Sequence, residues 1–286
     1  MPRRFYSARR RRPAGRSRRT TRRYGRKLRS SRVTRRTYRP RMTYRKILNK
    51  TSQKKRDTMA PLTDVVAGDP ESGTFTQNAA VITGGTGQFF TFPWIATARD
   101  GNSTTGVNGT KIEAATRTST TCFMRGLREN ILIETNSGES WRWRRVCFTM
   151  KGEGITEDDK DPSDSHYFRE ASSGYTRLIN QAPNENVIEN IFKGSRDIDW
   201  IDVFTAPVDT SRVSIKYDRS RVIQSGNASG VSRMYKIWHP MNQNLVYNDD
   251  EIGAGEVTLP MSTESRAGMG DYYVVDFFQP TTGGGR

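Results

Sequence analysis

The chain has 286 residues, 33% hydrophobic residues and a formal net charge of +17. This charge is unevenly distributed, because the 56 residues before the first acidic residue, Asp57, hold 25 basic residues, and the other 230 hold 22 basic and 30 acidic residues. No stretch approaches the roughly 18 apolar residues of a membrane span, and two cysteines are too few for a disulfide framework, which argues against membrane and disulfide-rich secreted classes.

Residues 1–56 form a basic arm in which 20 of the 25 basic side chains are arginines. A block of like charge buries too little apolar surface to offset chain entropy, so we expect this arm to be disordered. The planar guanidinium group of arginine donates paired hydrogen bonds to phosphate oxygens, and aromatic rings between the arginines stack on unpaired bases. The arm therefore predicts nonspecific binding of single-stranded nucleic acid, since phosphate contacts carry no base code. An amphipathic membrane helix is the alternative, and repeated Pro and Gly residues argue against it.

The candidate nucleic-acid-binding residues of the arm are Arg3, Arg4, Arg9, Arg10, Arg11, Arg12, Arg16, Arg18, Arg19, Arg22, Arg23, Arg26, Lys27, Arg29, Arg32, Arg35 and Arg36. Two short basic clusters in the arm are also typical of sequences that nuclear import receptors bind. The candidate nuclear-localisation residues are Arg26, Lys27, Arg29, Arg32, Arg35, Arg36, Lys54, Lys55 and Arg56. An arginine-rich arm also contains such clusters by chance, so import is predicted as a second use of the same segment.

The pattern of the body, residues 57–286, predicts an all-β domain. Runs rich in β-branched and aromatic residues alternate with Gly-, Ser- and Asn-rich turn signals, which is typical of a sandwich or barrel. The predicted strands are Gln88–Ala98, Thr118–Gly126, Asn130–Asn136, Trp141–Met150, Asn186–Phe192, Asp197–Ala206, Arg212–Ile223, Ser232–Trp238, Asn244–Asp249 and Asp271–Phe278. One helix is predicted at Asp161–Ala171, where Pro162 suits a first helical position.

The run "WRWRR" at Trp141–Arg145 has the strongest aromatic and basic signal in the body. In a strand, the two tryptophans share one face, and Arg142 and Arg144 lie on the other. One interpretation is that Trp141, Arg142, Trp143 and Arg144 bind nucleic acid by stacking and phosphate contacts. The alternative places the tryptophans in the core or against a neighbouring subunit and pairs the arginines with acidic residues.

Patterns for catalysis and metal binding are weak. The two histidines, His166 and His239, lie in no zinc-protease or nucleophile motif. Cys122 and Cys147 lack zinc-finger spacing, and the acidic run Glu157–Asp161 lacks the ligand alternation of an EF-hand. The sequence therefore predicts no enzyme, no metal site and no cofactor.

An arginine-rich arm joined to one β-sandwich is the architecture of a small viral capsid protein. The opening "MPRRFYSARRRRPAGR", the stretch "NQNLVYNDDE", the terminal strand "GDYYVVDFFQP" and the tryptophan-arginine strand resemble capsid proteins of genomoviruses, which have circular single-stranded DNA. More distantly, they resemble geminivirus coat proteins. The resemblance implies a single jelly-roll β-sandwich of two four-stranded antiparallel sheets in a T=1 icosahedral shell of sixty copies. The zinc-finger-like element of geminivirus coat proteins is not carried over, because the Cys and His spacing differs.

The resemblance also implies binding partners and a localisation. The partners are further copies of the chain, a circular single-stranded DNA genome and a host nuclear import receptor, with no membrane. The implied localisation is the virion and the host nucleus. The alternative function is a cellular nucleic-acid-binding protein of ribosomal or chromatin type, although the net charge of the body, 22 minus 30 or −8, suits contact with like proteins better than burial in RNA.

Overall fold

The computed structural model describes residues 42–85, 89–102, 108–152, 154–156, 165–171, 174–182 and 184–281. The chain divides into an N-terminal unit that ends at Ser52 and a compact unit that begins at Gln53. The compact unit thus begins before Asp57, because side chains at its start already bond within it. Gln53 and Lys55 donate hydrogen bonds to the backbone oxygens of Lys111 and Thr110, both at 2.7 Å.

Helix α1 (Tyr44–Thr51) belongs to the N-terminal unit and lies inside the arm for which we predicted disorder. Thr43 is its N-cap, and the Thr43 hydroxyl accepts a hydrogen bond from the backbone N–H of Lys46. A capping side chain satisfies one of the backbone donors that a helix start leaves free. The structure therefore differs from the prediction over this helix, and residues 1–41 lie outside the described residues.

The described part of the compact unit is mostly β-structure, which confirms the predicted all-β class. Its strands are β1 (Pro61–Thr63), β2 (Phe90–Ile95), β3 (Thr121–Thr135), β4 (Trp141–Met150), β5 (Glu170–Ala171), β6 (Gly174–Tyr175), β7 (Arg177–Ile179), β8 (Ser214–Ile223), β9 (Val231–Val246), β10 (Asp250–Ile252), β11 (Gly255–Val257) and β12 (Asp271–Pro280). Helix α2 (Asn184–Ile191) lies between β7 and β8. No helix in the described residues is long and apolar enough to cross a membrane.

Six long strands form the framework. Strands β2, β12, β4 and β8 make one four-stranded antiparallel sheet in that order, and β3 pairs with β9 in a separate antiparallel ribbon. In chain order, the first long strand pairs with the sixth, the second with the fifth and the third with the fourth. The other strands in the described residues form short pairs: β1 with β7, β5 with β6 and β10 with β11.

The ribbon packs on one face of the four-stranded sheet and makes a sandwich. Phe92, Trp143 and Ile223 of the sheet belong to one buried cluster, against which Ile131 and Tyr235 of the ribbon pack. Because strand side chains alternate between faces, these apolar residues recur at every second position. Burying each large side chain contributes about 1.5–3 kcal/mol, so this layer is a principal source of stability.

Helix α2 and the turns that follow it cover the opposite face of the sheet. Phe148 and Tyr273 of the sheet, Ile188 of the helix and Trp200 of the turns belong to one buried cluster. Both faces of the central strands are therefore enclosed, which explains why β4 and β12 are almost continuously buried.

Two of the predicted strands are wrong. The run Asn186–Phe192 lies largely in α2, where the helical spacing of Val187, Ile188 and Ile191 buries all three side chains. The run Asp197–Ala206 forms turns instead, with an Asp202 side chain that accepts the backbone N–H of Phe204. Aspartate side chains that bond nearby backbone groups compete with strand pairing.

The predicted helix at Asp161–Ala171 is also wrong where the structure describes it. Residues 165–169 are irregular, and Glu170–Ala171 form β5. The Ser165 hydroxyl accepts the backbone N–H groups of Tyr167 and Phe168, so it stabilises a turn instead of continuing a helix. Residues 161–164 lie outside the described residues.

Candidate nucleic-acid interface

The tryptophans of β4 are part of the core. Trp141 and Trp143 face the ribbon and are 8% and 1% exposed. The Trp143 ring stacks on Phe278 at a centroid distance of 5.8 Å and meets Tyr235 edge-on at 5.0 Å, and its Nε1 donates to Asp276 at 2.7 Å. A ring enclosed in this way has no free face for a base, so the nucleic-acid interpretation of both tryptophans is wrong and the core alternative holds.

The arginines of the opposite face of β4 are paired inside the chain. Arg144 is buried, lies 2.7 Å from the Asp218 carboxylate and donates to backbone carbonyls of the turn 203–206. Arg142 is about one-third exposed and lies 2.5 Å from the Asp202 carboxylate. The prediction that Arg144 binds phosphate is therefore wrong, because its guanidinium is buried and already bonded to Asp218 and to the turn. Arg142 would have to leave Asp202 before it bound a phosphate.

The last arginine of the motif, Arg145, lies in a buried ion cluster that sequence reasoning missed. The cluster consists of Arg145, Arg177, Glu129 and Asp276. Arg145 lies 2.7 Å from both carboxylates, and Arg177 lies 3.2 Å from Glu129 and 3.1 Å from Asp276. Two cations and two anions leave no net charge, which is the condition under which charges persist in a protein interior. The cluster links β4 and β12 of the sheet to β3 of the ribbon and to β7.

Burial and charge set the protonation states around this cluster. Burial alone would raise the pKa of Glu129, but Arg145 and Arg177 hold it well below its usual range. Burial raises the pKa of the Cys147 thiol far above its usual range. Cys147 is therefore a neutral side chain rather than a thiolate nucleophile. No group of three His, Cys, Asp or Glu side chains in the described residues is arranged to hold a metal ion.

Only the last three candidate residues of the arm lie within the described residues. Lys55 Nζ donates to the Thr110 carbonyl at 2.7 Å and to the Thr116 carbonyl at 2.8 Å, whereas Lys54 and Arg56 are exposed. An ammonium group held by two carbonyls is less available to an import receptor than its neighbours. The candidates from Arg3 to Arg36 lie outside the described residues.

The outward side of the ribbon has exposed basic and aromatic residues that sequence reasoning did not select. Arg128 is paired across the strands with Trp238, and the next outward pair is Asn130 with Lys236. The pattern hides this face because β9 has large side chains on both sides: Ile237 points inward and Trp238 outward. Alternation alone does not indicate which of two apolar sides is buried.

The buried arginines of β4 thus form ion pairs within the fold. A scan of known protein families found none that matches this chain, and a search of curated proteins found no match.

Proposed function

We propose that this chain is a viral capsid protein that self-assembles into a small T=1 icosahedral shell and packages circular single-stranded DNA through its arm. The observation that carries the proposal is the division of charge: 25 basic residues and no acid in residues 1–56, against a body of net charge −8. A basic arm has a strong affinity for phosphates, and a mildly acidic body does not compete for them. The proposal includes no catalytic activity and no cofactor.

The pairing of the six long strands supports a jelly roll. In an eight-stranded jelly roll, the first strand pairs with the eighth, the second with the seventh, the third with the sixth and the fourth with the fifth, within two four-stranded sheets. The six long strands of this chain have the three outer pairs of that scheme, with β2, β12, β4 and β8 in one sheet and β3 and β9 in the other. The innermost pair would come from the segment between β4 and β8, which holds short strands and α2.

The charge of the arm supports a packaging function that sets the length of the enclosed nucleic acid and does not recognise its base sequence. Sixty arms with 25 basic residues each bring about 1500 positive charges into a closed shell, where each displaces a counterion from a phosphate. That number balances a strand on the order of one to a few thousand nucleotides, with bound cations neutralising the remaining phosphates. If the 43 residues before helix α1 were extended, they would reach about 140 Å, which is enough to reach any part of the interior of a small shell.

The basic clusters support a nuclear stage. We infer that a host import receptor binds the cluster at residues 26–36, together with the exposed side chains of Lys54 and Arg56, before assembly. The chain would then occur in the host nucleus and in the virion. Fusion of residues 1–56 to a cytosolic reporter tests this step, and a reporter that stays in the cytosol would leave the arm with packaging alone.

Electron microscopy of the purified full-length chain tests the capsid function. We expect closed particles of uniform size that protect single-stranded DNA from nuclease. High salt without nuclease serves as a control, because it strips nucleic acid from an outer surface and leaves an enclosed strand in place. Monomers that bind nucleic acid without closed particles would instead indicate the cellular nucleic-acid-binding alternative.

A further inference from the structure

The outward side of the ribbon has the character of an unfilled interface. We define the ribbon face as six of the exposed side chains on this side, Phe123, Arg128, Leu132, Met234, Lys236 and Trp238, which lie beside the exposed polar residues Asn130, Ser232 and Glu134. Leu132 is 53% and Met234 54% exposed, and the two lie opposite each other across the strands. Cores of interfaces are enriched in aromatic residues, Met and Arg, and this composition is unusual for a surface that faces only water.

The tryptophan of the ribbon face packs on the backbone of β3. Gly126 lies at an irregularity in β3 with φ of 151°, and a Cβ at that position would approach the Trp238 ring to 2.6 Å. The indole therefore lies directly over the glycine backbone. A ring seated in this way loses little conformational entropy when a partner covers it, as preorganised interface residues do.

Within the part of the chain that the structure describes, the cations of the ribbon face have no carboxylate partner, in contrast to the arginines of β4 and β7. Arg128 and Lys236 form no ion pair with any residue that the structure describes, whereas Arg144, Arg145 and Arg177 all lie against carboxylates. The ribbon face therefore has apolar area and unpaired positive charge together, and an acidic and apolar surface would complement it.

The hairpin of β10 and β11 is such a surface. Its exposed side chains include Asp250, Glu251 and Glu256, which form no ion pair with any described residue, and the apolar Ile252 and Val257, which are 63% and 40% exposed. Gly253 at φ 59° allows the two-residue turn between the strands.

The base of this hairpin is held firmly. Asp249, directly before β10, forms a buried ion pair with Arg117, and the pair is 3% and 5% exposed at its side chains. Burial alone would raise the pKa of Asp249, but Arg117 lowers it below its usual value, so the pair remains charged. Arg117 also donates to the Leu259 carbonyl after β11. A fixed base and an exposed tip suit a docking element.

We propose that the β10–β11 hairpin of one copy binds the ribbon face of a neighbouring copy. The contact joins different surfaces of the two copies, which is the arrangement that builds a ring when the rotation between copies closes. Contact between two ribbon faces is disfavoured, because a two-fold arrangement brings Arg128 and Lys236 against like charges. This inference rests on the proposed capsid function, since it assigns one of the contacts by which that shell would assemble.

Charge reversal on the full-length chain tests the contact. R128E/K236E reverses the ribbon face, and E251K/E256K reverses the hairpin. We expect each double variant to lower the yield of particles by about tenfold or more, because like charges then face each other across the contact. The chain that combines all four substitutions restores opposite charges and should recover particles to within about twofold of the unmodified chain.

K216E/R219E is the matched control for the ribbon variant, because Lys216 and Arg219 are exposed on β8, outside both surfaces. It makes the same charge change and should leave the particle yield unaltered. Thermal unfolding of every variant should match that of the unmodified chain, since the substituted side chains are exposed.

Four results would overturn the inference. Normal particle yields from both double variants would remove the contact and leave the capsid function standing. Loss of assembly without recovery in the combined variant would show that the two surfaces do not face each other. Normal particles with less nucleic acid in R128E/K236E would identify the ribbon face as a nucleic-acid surface. Absence of particles from the unmodified chain would overturn the capsid function and this inference together.

Discussion

The arm and strand β4 are both rich in arginine, but they differ in the supply of acidic residues. The arm has 20 arginines among 56 residues and no carboxylate, whereas the three arginines of β4 lie beside Asp202, Asp218, Glu129 and Asp276. A guanidinium with a carboxylate of its own chain is already neutralised and hydrogen-bonded, and therefore stabilises the fold. A guanidinium without one must find its anion elsewhere.

This comparison shows that a basic and aromatic motif is a poor guide to a binding surface when carboxylates are near in space. Asp276 is 131 positions from Arg145 in the chain, yet it accepts from Arg145 Nε at 2.7 Å. As a guide to a binding surface, the number of cations in a segment is therefore less useful than the number that remain unpaired after folding.

Substitutions in the arm should have the largest effect on binding and none on the fold. Replacement of five of Arg9, Arg10, Arg11, Arg12, Arg16, Arg18, Arg19, Arg22 and Arg23 by Gln removes up to five phosphate contacts. The slope of log affinity for single-stranded DNA against log salt should become shallower by about 3.5, and affinity at 0.1 M salt should fall by about a thousandfold. Filter binding over a salt series measures both, and an unchanged slope would show that the arm is not the packaging element.

Removal of Arg145 should have the largest effect on stability. Arg145→Met leaves Glu129 and Asp276 buried with too few partners, and the free energy of unfolding should fall by about 3–5 kcal/mol. Arg142→Met is the matched control, because its pair with Asp202 is about one-third exposed at both side chains and contributes about 1 kcal/mol or less. Denaturant unfolding of both variants measures the difference. Equal losses of unfolding free energy in the two variants would show that the buried ion pairs of Arg145 stabilise the fold no more than the exposed pair of Arg142.

Substitution of a core tryptophan should have a smaller effect on stability. Trp143→Leu leaves a cavity between the sheet and the ribbon and removes the donor to Asp276, so we expect a loss of about 2–3 kcal/mol. Trp238→Leu, at a side chain 49% exposed, should change the free energy of unfolding by only about 0.5 kcal/mol or less. DNA affinity measured on the folded fraction should be the same for Trp143→Leu and the unmodified chain. Reduced affinity would return Trp143 to the nucleic-acid interface.

Acid should also lower the stability of the fold. The pKa of Glu129 is lower in the folded chain than its unfolded value of about 4.3, so the folded state binds fewer protons there. The stabilisation is fully present above that value and is lost as pH falls below it toward the folded pKa. Asp271 contributes in the opposite direction, because burial raises its pKa. Glu129→Gln, with the exposed Glu264→Gln as control, should flatten the fall in stability between about pH 4 and pH 2. An unaltered slope would mean that Glu129 is not the group responsible.

The sequence by itself predicted the properties that depend on neighbours along the chain. The charge of the arm, the β-character of the body and the alternation of Trp141, Trp143 and Arg145 against Arg142 and Arg144 all follow from local composition and from the two-residue period of a strand. Errors in secondary structure arose where a local pattern fits two structures. The apolar run that became α2 is too short for its period to be read securely.

Tertiary structure decided which side of each strand is buried and which charges are neutralised. Trp143 and Trp238 each lie in a strand and directly precede a basic or titratable residue, Arg144 and His239. Trp143 is nevertheless enclosed, whereas Trp238 is exposed. Burial depends on which strands pack face to face, and the carboxylates that neutralise Arg145 come from β3 and β12, 16 and 131 positions away along the chain. Coulombic energy depends on distance in space and on local polarity, and neither is a property of position along the chain.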